Sequence, residues 1–279
     1  MIETPKQRLS NSFQYARDEF EKTPQSKAIK PIYVDLNGKI SVIGTCFAAR
    51  LNDEFYFVTA KHCIDRLPNN SFGISGIKKS PRLNESFYLN FDGEDSDCLI
   101  IPIDHPENLG IGEDEFLSLD TEHINFSERD WFLFYGFPSS MNKNAKISKG
   151  FESLRTATRH LRGYELKAMT GCDIDGMAFN PLIHLACAYT LTNGFEDENG
   201  SNIAQQKSPS GMSGGTLIHI GDSENLISPP YKPKLRLAGL CLGLKRGLTA
   251  QDPSGTRVRF DAMVYLKTSA IRETLLSRQ

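Results

Sequence analysis

What this 279-residue chain lacks narrows it before any motif does. It has no run of the roughly 18 to 20 apolar residues that a membrane-spanning helix needs. It has no excess of charge: 32 basic residues face 34 acidic ones for a net charge of -2, so the basic footprint of a nucleic-acid binder is missing. It has no CxxC pair. Its six cysteines stand singly at 46, 63, 98, 172, 187 and 241, which argues against a thiolate zinc site. Histidines 105, 123, 160, 184 and 219 form no ligand pair at metal spacing, so neither a metal nor a cofactor is expected. The opening MIETPKQRLSNSFQYARDEF lacks the apolar core of a secretory leader. A cytoplasmic chain with reduced thiols is the expectation. Cys46 and Cys63 are the one pair that paired strands could bring together as a disulfide.

What is present is a series of short runs rich in β-branched and aromatic residues. SVIGTCFAARL, EFYFVTA, ESFYLNF, DCLIIPI and WFLFYGF follow one another closely, separated by Asn, Asp, Gly and Ser clusters. No long helical pattern alternates with them, so the texture is that of an all-β barrel or sandwich. GFPSSMNKN, residues 136 to 144, reads as the exit from a first unit. A second set follows, from KISKGFESL to VRFDAMVYL. The expected organisation is an N-terminal, partly helical arm over 1–30, a first β unit over 31–140, a second over 141–266 and a C-terminal helix over 267–279. In the arm, Phe13, Tyr15, Ala16 and Phe20 give one apolar side. In the last helix, Ala270, Ile271, Leu275 and Leu276 do the same. The polar loops Asn193–Gly211 and Gly221–Lys234 are long enough to be functional.

Two stretches carry chemistry. In EFYFVTAKHCID an apolar run ends at His62, where a base could stand at the rim of a barrel. In SPSGMSGGTLIHI, Ser213 lies among Gly211, Gly214 and Gly215. Glycines there allow close backbone approach, and the N–H groups of Gly211 and Ser213 could form an oxyanion hole beside the hydroxyl. GMSGG also fits the nucleophile elbow of α/β-hydrolases, but a strand-like run follows the serine where the elbow requires a helix. The only later histidine, His219, sits inside that run.

VTAKHC resembles the histidine motif, and GMSGG the serine motif, of the trypsin-like (chymotrypsin-fold) serine proteases, in that family's order. The resemblance covers about residues 35 to 270 and implies two packed six-stranded antiparallel β-barrels with the site between them. It implies His62 as general base, Ser213 as nucleophile, and Gly211 and Ser213 as oxyanion donors. It requires an acid just before an apolar strand, and GEDSDCLIIPI offers Asp95 and Asp97. Asp97 abuts CLII and has the better register. GLCLG, 239 to 243, resembles the strand that lines the specificity pocket, which points to Leu242 and Gly243.

Departures from the pattern are informative. Met212 replaces the aspartate that pairs with a new N-terminus in secreted members. Activation by cleavage near Pro31 is therefore not expected, and the resemblance leans to the intracellular and bacterial branch. Lys61 precedes His62, where alanine is usual. Lys207 stands near the pocket-base position and would favour acidic side chains if it faced inward, as would Lys245 or Arg246. The leading expectation is a serine endopeptidase acting through a His-Asp-Ser triad and an acyl-enzyme on protein or peptide substrates, with a regulatory protein partner conceivable. The alternative is a catalytically silent trypsin-like pseudo-protease that binds proteins. A small-ester hydrolase on the same barrels is a third reading.

Overall fold

The computed structural model describes residues 4–36, 39–65, 67, 72–74, 77, 86–91, 94–120, 125–127, 129–139, 162–169, 180, 182–188, 210–228, 230–251 and 257–278. Helix α1 (Pro5–Lys22) opens the chain. Thr4 caps it by accepting from the Gln7 N–H, while the Gln7 side chain accepts from the Thr4 N–H, and Pro5 fills the first helical position. A first sheet follows, made of β1 (Ile29–Leu36), β2 (Lys39–Leu51), β3 (Glu54–Ala60), β4 (Gly73–Ile74), β5 (Phe87–Phe91), β6 (Glu94–Ile103) and β7 (Leu117–Ser118). The second sheet holds β8 (Asp130–Gly136), β9 (Arg162–Met169), β10 (His184–Ala188), β11 (Thr216–Asp222), β12 (Arg236–Gln251) and β13 (Arg257–Lys267). Helices α2 (Pro106–Leu109) and α3 (Ser223–Ile227) sit in connections, and α4 (Thr268–Leu276) follows β13 directly.

The expectation of an all-β chain of two six-stranded barrels is corrected. Four α-helices lie among the described residues, and the first sheet has seven strands and is open. Its order is β4-β1-β2-β3-β6-β5, with β7 added to β2 in parallel; no β5–β4 pairing closes it. The second sheet does close, in the order β10-β13-β12-β11-β8-β9. The unit boundary also moves. WFLFYGF, grouped in sequence with the first unit, forms β8 and pairs with β9 and β11, as in Thr216 opposite Tyr135. A strand's sheet is decided by its hydrogen-bonding mates, and these come here from far along the chain. The run KISKGFESL lies outside the described residues.

Helix α1 belongs to the core. Phe13, Ala16 and Phe20, spaced on one helical side, are all buried, and the Phe20 ring lies 4.8 Å from that of Tyr135 on β8. Phe13 meets Trp131 edge-on at 5.1 Å. Tyr15, expected on the same side, is 47% exposed. In α4, Ala270, Ile271 and Leu275 are buried, while Leu276 faces outward at 36%. The Gly221–Lys234 loop is shortened by structure: β11 runs to Asp222, whose carboxylate caps α3 through the Asn225 N–H at 2.8 Å. Because Phe20 is a fully packed anchor between α1 and the second sheet, Phe20→Ala should lower unfolding free energy by about 3–5 kcal/mol in urea titrations. A loss below about 1 kcal/mol would mean that α1 is not part of the cooperative core.

Candidate functional site

His62 stands on a single 3₁₀ turn, Lys61–Cys63, directly after β3. Strand β6 runs antiparallel to β3 with Cys98 opposite Ala60, so the residue before Cys98 arrives beside that turn. That residue is Asp97. On its other side β6 pairs with β5, where Leu89 faces Cys98 but Asn90 faces Asp95. Ser96 and Asp97 are thus extra residues in a bulge, and Asp97 takes a φ of 55°, which an aspartate tolerates better than most side chains. The bulge aims its carboxylate at the turn. Asp97 Oδ1 accepts from the His62 backbone N–H at 2.9 Å, and Oδ2 accepts from Nδ1 at 2.6 Å.

This two-point grip fixes the ring and its tautomer. The Asp97 carboxylate, with a further contribution from Cys63 and against some desolvation, raises the His62 pKa to about 10. The carboxylate thus favours the charged form of the imidazole. The pair is less enclosed than a triad acid is expected to be: the His62 and Asp97 side chains are 38% and 35% exposed. Asp95 lies two residues earlier in β6, opposite Asn90.

Ser213 lies on the Gly211–Gly215 turn ahead of β11, and this turn is clamped from both sheets. From the first, the Thr45 N–H donates to the Ser213 carbonyl at 2.8 Å and the Cys63 thiol points at the same oxygen at 3.6 Å. From the second, the Gly214 N–H donates to Cys241 O at 2.7 Å and the Cys241 N–H to Gly215 O at 2.8 Å. Gly214 has φ +81°, and a Cβ there would stand 1.9 Å from the Thr45 carbonyl oxygen and 2.5 Å from Thr59 Oγ1. Met212, in place of an acidic residue, is fully buried among Phe132, Phe134, Leu217 and Tyr265 inside the second barrel. Burial of an apolar side chain thus anchors the turn from behind.

The structure brings His62 and Asp97 into contact and lays the Ser213 turn against the His62 turn. It does not join the serine to the histidine: among the described residues Ser213 Oγ makes no hydrogen bond to His62. Nor do the N–H groups of Gly211 and Ser213 have a partner among the described residues. Gly243 lies beside the serine, its absent Cβ 3.8 Å from Ser213 Oγ, at a φ of +137°. Leu242 is half-buried next to it, while Lys245 and Arg246 are exposed. Lys207 lies outside the described residues. Lys61 does not confront His62: its Nζ is 3.7 Å from Asp65 Oδ2 and 4.4 Å from the centre of the Tyr88 ring. Cys46 and Cys63 are both free thiols, and Cys63 Sγ packs against Gly44. Thr45 and Cys241, which hold the serine turn, were missed in sequence because nothing in GTCFA or GLCLG marks them as partners of a turn so far away. Among the described residues no helix is long and apolar enough to cross a membrane.

No family model and no curated protein matches this chain. Solved structures do resemble it. A scabies mite inactivated protease paralogue, S-I1, is 13% identical at a TM-score of 0.44, over 92% of this chain and 96% of that one. An inactive form of Rv3671c from M. tuberculosis, a serine-to-alanine mutant, is 11% identical at 0.41, over 91% and 87%. A mutant of human heparin binding protein is 9% identical at 0.46, over 92% of each. At identities of 9% to 13% these likenesses assign the chain no family, no intracellular or bacterial branch and no activity.

Two outcomes test this site. Gly214→Ala should destabilise the fold by more than about 2 kcal/mol in denaturant titration, from the positive φ together with overlap on Thr45; a neutral effect would refute the close approach. In NMR titrations His62 should lose its proton near pH 10, and Asp97→Asn should bring that value down toward the ordinary 6.5. Since the folded pKa is raised, the stabilisation is complete below about pH 6.5 and falls away as pH climbs through 10. An unshifted His62 in Asp97→Asn would break the assignment.

Proposed function

We propose that this chain binds an extended polypeptide segment at the Ser213 turn and, in the conformation described, leaves it uncleaved. One observation carries the silent part of this reading: among the described residues Ser213 Oγ has no hydrogen bond to His62, whose imidazole is instead gripped by Asp97, which favours its protonated form. A protonated ring cannot accept the serine proton, and an unactivated serine hydroxyl is a weak nucleophile. The binding part rests on β12. Gly243, Leu244 and Lys245 pair with β13 on one edge, but β11 ends its pairing with β12 at Leu240. Among the described residues the other edge of Leu242–Leu244 is open beside Ser213, where a peptide strand can add its own hydrogen bonds.

A second reading, a serine endopeptidase, is favoured by a different observation. Asp97 already holds His62 in the orientation a triad needs, and two N–H groups on the serine turn have no partner among the described residues. Closing one contact, from Ser213 Oγ to Nε2 of a neutral His62, would complete the arrangement. Ser213 would then attack the peptide carbonyl as His62 takes its proton. The imidazolium would return that proton to the leaving amine, and water would hydrolyse the ester with His62 again as base.

A fluorophosphonate probe separates the two at pH 7. The silent reading expects no adduct on the wild type, no cleavage of a denatured protein, and retained peptide binding. A single adduct on Ser213, lost in Ser213→Ala together with cleavage, would overturn it in favour of the endopeptidase. In that case Asp97→Asn should lower kcat/KM about ten-thousand-fold, and Asp95→Asn far less.

A further inference from the structure

Thr45 is fully buried in β2 and sends both its hydroxyl and its N–H across the junction of the two sheets. Its hydroxyl donates to Gly211 O at 3.0 Å and accepts from the Phe137 N–H at 3.0 Å. Its N–H donates to Ser213 O. Its carbonyl accepts from Thr59 Oγ1 at 2.8 Å, and the residue opposite it on β1 is Pro31, which has no N–H to offer. One residue before Gly211, the Ser210 carbonyl accepts from the Ser139 N–H at 2.8 Å, and the two serine hydroxyls meet at 3.2 Å.

These bonds decide where the turn's N–H groups point. In a trans peptide the C=O and N–H are antiparallel. With the Ser210 carbonyl held on Ser139, the Gly211 N–H must face the opposite way, out of the contact with the loop after β8. Gly211 O, held by Thr45 Oγ1, fixes the peptide before Met212; Met212 O, accepting from the Gly215 N–H at 2.9 Å, fixes the peptide after it and so the direction of the Ser213 N–H; and Ser213 O, held by the Thr45 N–H, fixes the next. What remains unpaired among the described residues is the N–H of Gly211 and that of Ser213.

We propose that Thr45 is a positioning residue, whose hydroxyl locks the Gly211–Ser213 backbone so that these two N–H groups form a site for a polypeptide carbonyl oxygen. The proposal rests on the reading that the Ser213 turn receives a polypeptide, whether that polypeptide is only bound or also cleaved. The hydroxyl suits the task because one O–H can donate and accept at once, and so ties three segments through a single atom. A methyl in its place would leave both the Phe137 N–H and the Gly211 carbonyl unpaired in a dry junction.

The test compares Thr45→Val, of similar shape but without the hydroxyl, with Thr45→Ser, which keeps it. Amide hydrogen exchange is read at Gly214, whose N–H donates to Cys241 O on β12, and at Gly215, whose N–H donates to Met212 O within the turn, against the amides of β3 as an internal reference. Thr45→Val should speed exchange at these two glycines at least about tenfold while β3 stays unchanged, and Thr45→Ser should restore the slow rates. If wild-type protein reacts with a fluorophosphonate, the rate should fall about 100-fold in Thr45→Val and recover in Thr45→Ser. Altered exchange with no labelling of the wild type would uphold the lock and remove the endopeptidase reading alone. Unchanged exchange at Gly214 and Gly215 in Thr45→Val would overturn the proposal whatever the labelling shows. Should Thr45→Val unfold, Thr45→Cys, which keeps the volume with a weaker donor, is read by the same criteria.

Discussion

The closest constraint in this molecule is the approach of the Gly211–Gly215 turn to Thr45. Between β2 and Gly214 there is no room for even one methyl group. The turn belongs to the closed second barrel and Thr45 to the open first sheet, so their contact sets the distance between the two units. Everything at the site depends on that distance. The turn bearing His62 follows β3, the neighbour of β2, and Ser213 rides on the clamped turn. A shift of the junction would move serine and histidine apart before it disturbed either sheet. The junction is tight because it is polar and satisfied: each buried donor of Thr45 has its acceptor, which an apolar contact of the same size would not require.

Around this junction the electrostatics are arranged in one direction. The bulge in β6 spends a positive φ to present Asp97 to His62 at two points. That stabilises the charged imidazole, the form that follows serine attack and not the form that begins it. The arrangement is therefore well suited to hold the ring in place. Lys61, next in the chain, has its charge drawn toward Asp65 and the Tyr88 ring. Met212 replaces a charged anchor with a buried apolar one, so the hold on the serine turn from the barrel side needs no titrating partner.

Much of this was legible along the chain for a local reason. Runs such as EFYFVTA and the strand after GMSGG are apolar because they are buried on both faces, and burial leaves its mark on composition. His62 and Ser213 were found because strand ends and glycine-flanked turns are short-range features. Asp97 rather than Asp95 followed from adjacency to CLII. The count of strands in the first sheet, its failure to close and the membership of β8 were not legible, since strand pairing joins residues far apart and a pairing edge leaves no trace in the residues that bear it.

By itself the sequence determined which residue types stand at the ends of which strands: a histidine, an aspartate and a glycine-flanked serine, with methionine where a charge might have been. Only the tertiary structure decided how they meet. It set Asp97 on His62 through a bulge, kept Ser213 off the ring, left Cys46 and Cys63 as separate thiols, and made Thr45 the tie between the sheets. The reason is physical. A residue's identity supplies its chemistry, but a hydrogen bond exists only within about 3 Å, and distances of that size between segments 150 residues apart are a property of packing alone.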